Sequence, residues 1–323
     1  MSYLNKLDSI EQWGHYEVNG HRYYLLREAY DAATSKDQIK FVFHDKIFQA
    51  VNPKIEPKQT LSELYSRRVA QLRNNYDYLV LAYSGGADSH NILQHFELTN
   101  TFLDEIVSIE DSSIRGKDSV ISGEIFKVAI PHTQKYIEKS PLTKHRLIDA
   151  KEYQNKVFLN PQFEFDSHYG ISYQFKPVSM LFQGWWANFV DDCKHLRDQG
   201  KKVGIIWAVD KPRLSYDTKH GYMFGFNDFH SHVGFKNKLI DNPAWEDVPF
   251  YWTAELPYIA IKQAHVVAKY LNHCDEVGFY PTHALEQRCN LTMRKNGRFI
   301  SNEYINGVIY PYWDTTTFTY GKE

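Results

Sequence analysis

Apolar positions along this chain switch between the period of a strand and the period of a helix. Near the start, Tyr16-Glu17-Val18 alternates, Asn19-Gly20 follows, and His21-Arg22-Tyr23-Tyr24 resumes strand-prone residues. An Asn-Gly pair between such flanks predicts a hairpin, because both residues tolerate the left-handed backbone of a tight turn. Phe41-Val42-Phe43 and Ile47-Phe48 continue as strand-like residues until Pro53 and Pro57 break the pattern. From Thr60, the apolar residues Leu61, Leu64, Val69 and Leu72 recur at helical spacing, with Thr60 or Ser62 as the cap. Arg67, Arg68 and Arg73 read as the solvated face of that helix.

The middle of the chain alternates. Tyr78 to Tyr83 is a continuous apolar run, short enough for a buried strand, and Ser89 to Phe96 has helical spacing. Glu105 to Ile109 predicts a second strand, about Val120 to Tyr136 a helix kinked at Pro131, and His145 to Asp149 a third strand. A helical segment around Met180 to Arg197 leads to a fourth strand at Val203 to Val209. Strands alternating with helices predict an α/β fold, a doubly wound, mainly parallel sheet with helices on both faces.

Beyond about residue 215, Gly, His, Phe and Tyr crowd 220–235, which suggests loops. Leu256, Ile259, Ala260, Ala264, Val267, Ala268 and Leu271 trace one face of a long helix. Asn296-Gly297 and Asn306-Gly307 predict two further hairpins. The pattern divides the chain into a small N-terminal β-rich module at 1–75, a nucleotide-binding domain at 76–215 and an α+β C-terminal specificity region at 216–323.

Composition narrows the function classes. The 323 residues carry 37 Lys+Arg against 39 Asp+Glu, a net charge of −2, so no global positive field favours nucleic acid. No apolar run approaches the roughly 20 residues of a membrane span, and no basic segment precedes an apolar core at the N-terminus. A cytoplasmic protein without a membrane partner is expected. Cys193, Cys274 and Cys289 are far apart, lack any Cys-x-x-Cys, and read as inert thiols.

The candidate chemistry lies after the first buried strand, in Ser84-Gly85-Gly86-Ala87-Asp88-Ser89. Two glycines let backbone N–H groups approach phosphate oxygens at the positive end of a helix. Ser84 and Ser89 add hydroxyl donors. Asp88 repels phosphate unless a cation intervenes, which argues for Mg2+. The absence of Gly-Lys-Ser/Thr excludes a Walker loop.

This segment resembles the SGGxDS signature of the PP-loop ATP pyrophosphatases. That superfamily includes asparagine, argininosuccinate, GMP and NAD synthetases, tRNA lysidine synthetase and queuosine-pathway enzymes. The resemblance implies ATP and Mg2+ as cofactors, with cleavage of ATP between its α- and β-phosphates to adenylylate an acceptor oxygen. It further implies nucleotide contacts from Ser84, Gly85, Gly86, Ala87 and Ser89, and an adenine passing Ser108, Ile109 and Glu110 on the second strand. A plain strand end is the other reading of those three. Glu124, at a helix start, could face the cleft, but a capping or surface role is the leading reading.

The family's strand order, 3-2-1-4-5, reverses between strands 1 and 4, and ligands bind beyond the carboxyl ends of strands at such a reversal. The fourth strand ends in Asp210-Lys211, so Asp88, Asp210 and Lys211 become the candidate catalytic residues. Lys211 would neutralise phosphate charge, while Asp88 and Asp210 would hold the metal. An exposed turn closed by Pro212 is the alternative for the last pair.

The acceptor is narrowed by elimination. The chain lacks paired cysteines for sulfur transfer, the cysteine cluster of nitrile-forming members and an N-terminal glutaminase cysteine, since residue 2 is Ser2. An amide- or amine-forming ligase therefore leads, with a small-molecule acceptor favoured over nucleic acid and a homo-oligomer left open. The helix at Leu61 to Arg73 is distantly similar to that before the synthetase domain of asparagine synthetases. Leu81 to Gly86 is similar to argininosuccinate synthetase. Modification of an RNA or DNA base through the same adenylation, and a non-catalytic ATP sensor, are the alternatives.

Elsewhere the structural readings lead. His230 and His232 lack a third metal ligand, and Lys262 and His265 read as solvent-facing. Trp185, Trp186, Trp245 and Trp252 read as core. Arg294, Lys295 and Arg298 form one short basic hairpin.

Overall fold

A computed structural model describes residues 14–23, 26–110, 123–149, 151, 187–208, 211–225, 245–278, 292–293, 299–300 and 302–312. Its centre is a five-stranded, all-parallel sheet with flanking helices.

The N-terminal residues form β1 (His15–Val18), β2 (His21–Tyr23), α1 (Leu26–Ala32), β3 (Lys40–Val42) and α2 (Asp45–Ala50). The strands make a separate antiparallel sheet with β1 in the middle. The expected hairpin is present: Val18 pairs with His21, and Asn19 and Gly20 have φ of 51° and 79°. Two adjacent residues in the left-handed region make the turn whose twist suits a two-residue connection. Ile47 and Phe48 lie in α2 and not in a strand, and Phe48 is buried beside Phe43 at a ring distance of 6.2 Å. Strand propensity there yields to tertiary packing.

Helix α3 (Leu61–Asn75) begins as its sequence predicts. The Thr60 hydroxyl accepts from the Glu63 backbone N–H while the Glu63 carboxylate accepts from the Thr60 N–H at 2.7 Å, a reciprocal capping box. The solvated arginine face is corrected at two positions. Arg68 is buried, 2.7 Å from Glu255 and 2.9 Å from the Pro249 carbonyl. Arg73 donates to Asp104 at 2.7 Å and to the Tyr76 carbonyl at 2.6 Å. Only Arg67 is exposed.

The parallel sheet contains β4 (Tyr78–Ala82), β5 (Glu105–Glu110), β6 (Lys144–Asp149), β7 (Val203–Trp207) and β10 (Glu246–Pro249). Across the sheet they lie β10-β7-β4-β5-β6. The earliest strand in sequence is therefore central, with later strands to either side. The strand β10, which the hydrophobic pattern did not single out, comes from the 216–323 stretch and pairs with β7.

Side chains alternate between the sheet faces. Leu79, Leu81, Ile106, Ile206 and Val248 enter the large core, which also takes Leu64, Leu72, Ile92 and Phe96 from α3 and α4 (Ala87–Leu98). Tyr78, Val80, Val107, Val203 and Ile205 pack on Cys193 of α6 (Ala187–Asp198) and on Trp245. Full burial of each such aliphatic side chain contributes about 1.5–3 kcal/mol, which is why β4 and β7 read as unbroken apolar runs.

The helix expected over 120–136 is described from residue 123 onward. A π-helical turn, Glu124–Ala129, leads into α5 (Ile130–Lys139). Pro131 falls in the first turn of α5, where a missing N–H costs little.

Three expectations for the C-terminal third are corrected. Residues 221–225 form β9 (Gly221–Gly225), paired with β8 (Arg213–Asp217), where the composition suggested loops. Asn306-Gly307 lies inside α8 (Asn302–Ile309), because Ile305 and Ile309 bury one face at helical spacing. On α7 (Tyr258–Glu276), Lys262 donates to Glu56 at 2.8 Å and His265 Nε2 lies 2.9 Å from the Pro53 carbonyl, so both tie down the 53–57 segment instead of facing solvent. The other hairpin's flanks pair, β11 (Thr292–Met293) antiparallel to β12 (Phe299–Ile300), while Asn296-Gly297 lies outside the described residues.

Trp245 and Trp252 are buried, as are Cys193 and Cys274. Asp210, Trp185, Trp186, His230, His232, Cys289, Arg294, Lys295 and Arg298 lie outside the described residues. Among those described, no helix is long and apolar enough to cross a membrane.

Candidate phosphate-loop site

The site grows from the carboxyl end of β4. Tyr83 still pairs with the neighbouring strand, its N–H donating to the Val107 carbonyl at 2.8 Å. The chain then leaves the sheet through Ser84 and Gly85, and Gly86 caps α4. A glycine cap has no side-chain acceptor, so no side chain covers the first N–H groups of α4. These groups form the positive end of the helix, where an anion is stabilised.

Gly85 has a backbone requirement. Its φ is +81°, and a Cβ there would sit 2.2 Å from the Glu124 carbonyl oxygen. The π-turn is therefore packed directly beneath the loop, and only glycine permits that approach. Gly86 has φ −69° and a roomier setting, its nearest potential neighbour being Ser84 Oγ at 3.4 Å. Ser84 Oγ and Ser89 Oγ lie 3.2 Å apart, and the Gly86 N–H donates to Ser84 Oγ at 3.3 Å. Ser89 donates to the Gly86 carbonyl at 3.1 Å. The hydroxyls brace the turn.

Asp88 is the meeting point of three distant segments. Lys211 Nζ lies 2.9 Å from Asp88 Oδ1 and is itself buried, at 7 % exposure. Tyr310, just past α8, donates its hydroxyl to the same oxygen. Tyr251, just past β10, donates to the Asp88 main-chain carbonyl at 2.7 Å and accepts from Asn91 Nδ2 at 2.9 Å. The Lys211 ammonium also stands 5.9 Å from the Tyr310 ring centre, within reach of a cation–π attraction.

Glu124 also belongs to this group and is not the surface cap expected. Its carboxylate oxygen lies 3.6 Å from where a Cβ on Gly86 would be. Burial, and then the negative charge of Asp88, push its carboxyl up to about 7. Burial and the neighbouring charge make that carboxyl hold its proton, and a cation bound between Glu124 and Asp88 would offset both effects and favour the ionised form. The opposite side of the loop carries His90, whose Nδ1 lies 2.8 Å from the Tyr83 hydroxyl and whose ring meets His132 at 4.4 Å. Burial and then the His132 charge lower its pKa to about 4, so His90 is neutral at pH 7.

The sequence candidates thus fall into two sets. Ser84, Gly85, Gly86, Ala87, Asp88, Ser89 and Lys211 are gathered at one point. Ser108 is on β5 but fully enclosed, its hydroxyl without a partner among the described residues, while Ile109 is partly exposed on the opposite sheet face. Tyr251, Tyr310 and Asn91 were missed altogether. The only trace the tyrosines leave in sequence is the chain's aromatic content of 15 %, and those at 65, 83, 251 and 310 pack around the loop and keep their hydroxyls bonded.

A magnesium ion serving a nucleotide needs only one or two carboxylates besides phosphate and water. Asp88 and Glu124 fit that demand: two carboxyls close enough to repel, facing one loop. Among the described residues no group of three or more His, Cys, Asp or Glu side chains gathers for a cage of their own. No protein-family model matches the chain, and no curated protein matches it.

Proposed function

We propose that this chain is a Mg2+- and ATP-dependent ligase of the PP-loop type, cleaving ATP between the α- and β-phosphates. The acceptor oxygen of a small molecule attacks the α-phosphorus, pyrophosphate leaves, and a nitrogen nucleophile then displaces AMP to form an amide or amine. One observation carries this reading. The Ser84–Ser89 loop leaves the central strand of a parallel sheet, and Lys211, from beyond the adjacent strand, reaches its aspartate at 2.9 Å. Ligand sites in such sheets lie beyond the carboxyl ends of strands where the order reverses.

Each residue has a separate task in this scheme. The Gly85–Gly86 turn brings uncovered N–H groups to the phosphates. Ser84 and Ser89 can turn their hydroxyls from each other toward phosphate oxygens. Lys211 lies near enough to exchange its contact with Asp88 for one with the leaving pyrophosphate, offsetting charge that grows in the transition state. Asp88, with Glu124, would hold the magnesium ion, which neutralises phosphate charge when bound.

The test is incubation of the purified protein with Mg2+ and α-labelled ATP across a panel of amino acids, other carboxylic acids, nucleosides and short RNA or DNA, with ammonia supplied. AMP and pyrophosphate appearing with one small acceptor support the reading. Turnover only with RNA or DNA assigns the site to base modification, and ADP with orthophosphate contradicts the chemistry. Tight ATP binding without turnover on any acceptor makes the chain a sensor.

A further inference from the structure

The C-terminal segment is bound into the loop site at several points. Tyr65 on α3 donates to the Ile309 carbonyl at 2.9 Å and accepts from Gln263 of α7 at 2.9 Å. The Tyr310 ring lies 5.7 Å from that of Tyr251 and 6.4 Å from that of Tyr65. Beyond it, the Tyr312 ring lies 5.7 Å from that of His95. These ring contacts do not use the Tyr310 hydroxyl, which donates to Asp88 and is also in hydrogen-bonding contact with the Tyr251 hydroxyl.

Asp88 is held from both ends. Tyr251 grips its backbone carbonyl, and Tyr310 and Lys211 share one carboxylate oxygen. With Oδ1 so occupied, the other oxygen, Oδ2, is the one free to turn toward a cation. From this arrangement we infer that Tyr310 is a positioning residue: its hydroxyl locks the Asp88 carboxylate in the orientation that presents Oδ2 to the metal of Mg·ATP. The inference rests on the nucleotide reading above. It assigns a role to the C-terminal segment that no loop motif implies, since Tyr310 lies 222 residues from Asp88.

Because the ring is anchored independently, Tyr310→Phe removes the hydroxyl and leaves the packing. The experiment is calorimetric titration of ATP, with Mg2+ and with EDTA, into the wild type, Tyr310→Phe, Asp88→Asn and the double variant. Thermal unfolding is followed in parallel. Tyr310→Phe is expected to weaken Mg·ATP binding about tenfold, to leave metal-free ATP binding within about twofold, and to keep the wild-type melting temperature. The double variant should bind like Asp88→Asn alone, because an effect routed through that carboxylate makes the two changes non-additive.

Mg·ATP affinity unchanged in Tyr310→Phe, or additive losses in the double variant, would overturn the inference while leaving the nucleotide reading intact. Equal losses with and without Mg2+ also overturn it, since they mark a general disturbance of the loop. A wild type with no affinity for ATP under either condition removes both.

Discussion

Lys211 and Asp88 form an ion pair at 2.9 Å across 123 residues of chain, one on the helix after the central strand and one on the loop after its neighbour. The pair is neither fully exposed nor sealed: the Lys211 side chain is 8 % exposed and that of Asp88 28 %. Such a pair can open for a ligand, whereas a deeply buried one would resist the separation of its charges.

Lys211→Ala is therefore expected to lower affinity for ATP and slow its turnover by tenfold or more, with a smaller effect on folding because Tyr310 still satisfies the Asp88 oxygen. Equilibrium binding and pyrophosphate release, compared with the thermal melt, separate the two effects. A shift of the melt alone would return Lys211 to a structural role.

Gly85→Ala and Gly86→Ala should differ sharply despite adjacent positions. At Gly85 the methyl group meets the Glu124 carbonyl at 2.2 Å and φ is +81°, so a loss of about 2 kcal/mol or more is expected from strain and displaced backbone. At Gly86 the space and the negative φ accept a methyl group, and the expected change in stability is under about 1 kcal/mol. Denaturant unfolding of both variants measures the contrast.

Arg68→Ala leaves Glu255 without its buried partner and frees the Pro249 carbonyl at the end of β10. A loss of about 3–5 kcal/mol is expected. Pairing Arg68→Met with Glu255→Gln removes both charges and should restore part of it, which a double-mutant cycle would read directly. Full additivity of the two changes would show that the pair is not coupled.

Glu124 gives a pH signature in metal-free protein. Its carboxyl is raised from 4.5 to about 7 by burial and by Asp88. Between those values the unfolded chain has released the proton that the folded chain keeps, so the stabilising contribution of Glu124 is whole below about pH 4.5. It declines as pH rises and is lost once pH passes about 7. Glu124→Gln should flatten that decline and raise stability relative to the wild type above pH 7. Unfolding free energies at pH 5, 6, 7 and 8 test this, and an unaltered slope would remove Glu124 from the titration.

Local patterns were legible wherever a few neighbouring residues decide the outcome. The β4 run is apolar on both faces because both faces of the sheet are covered. The Asn19-Gly20 turn and the Thr60–Glu63 capping box follow from backbone freedom and side-chain reach within four residues. The same locality exposed the glycine loop, since a turn that approaches the π-turn so closely can carry no Cβ at Gly85.

Tertiary structure alone decided the rest. Arg68 sits on α3 like its exposed neighbour Arg67, and only the arrival of Glu255 and Pro249 makes it a core residue. Asn306-Gly307 has the composition of a turn, yet burial of Ile305 and Ile309 makes it helix. Tyr310 and Tyr251 reach Asp88 from distant segments, and contacts closed over such loops have no period or spacing to mark them in advance. The sequence by itself determined where a glycine turn could join a buried strand to a helix start. The folded chain decided which lysine, tyrosines and carboxylates surround it, because those partners are chosen by the order of strands in the sheet and not by their neighbours in sequence.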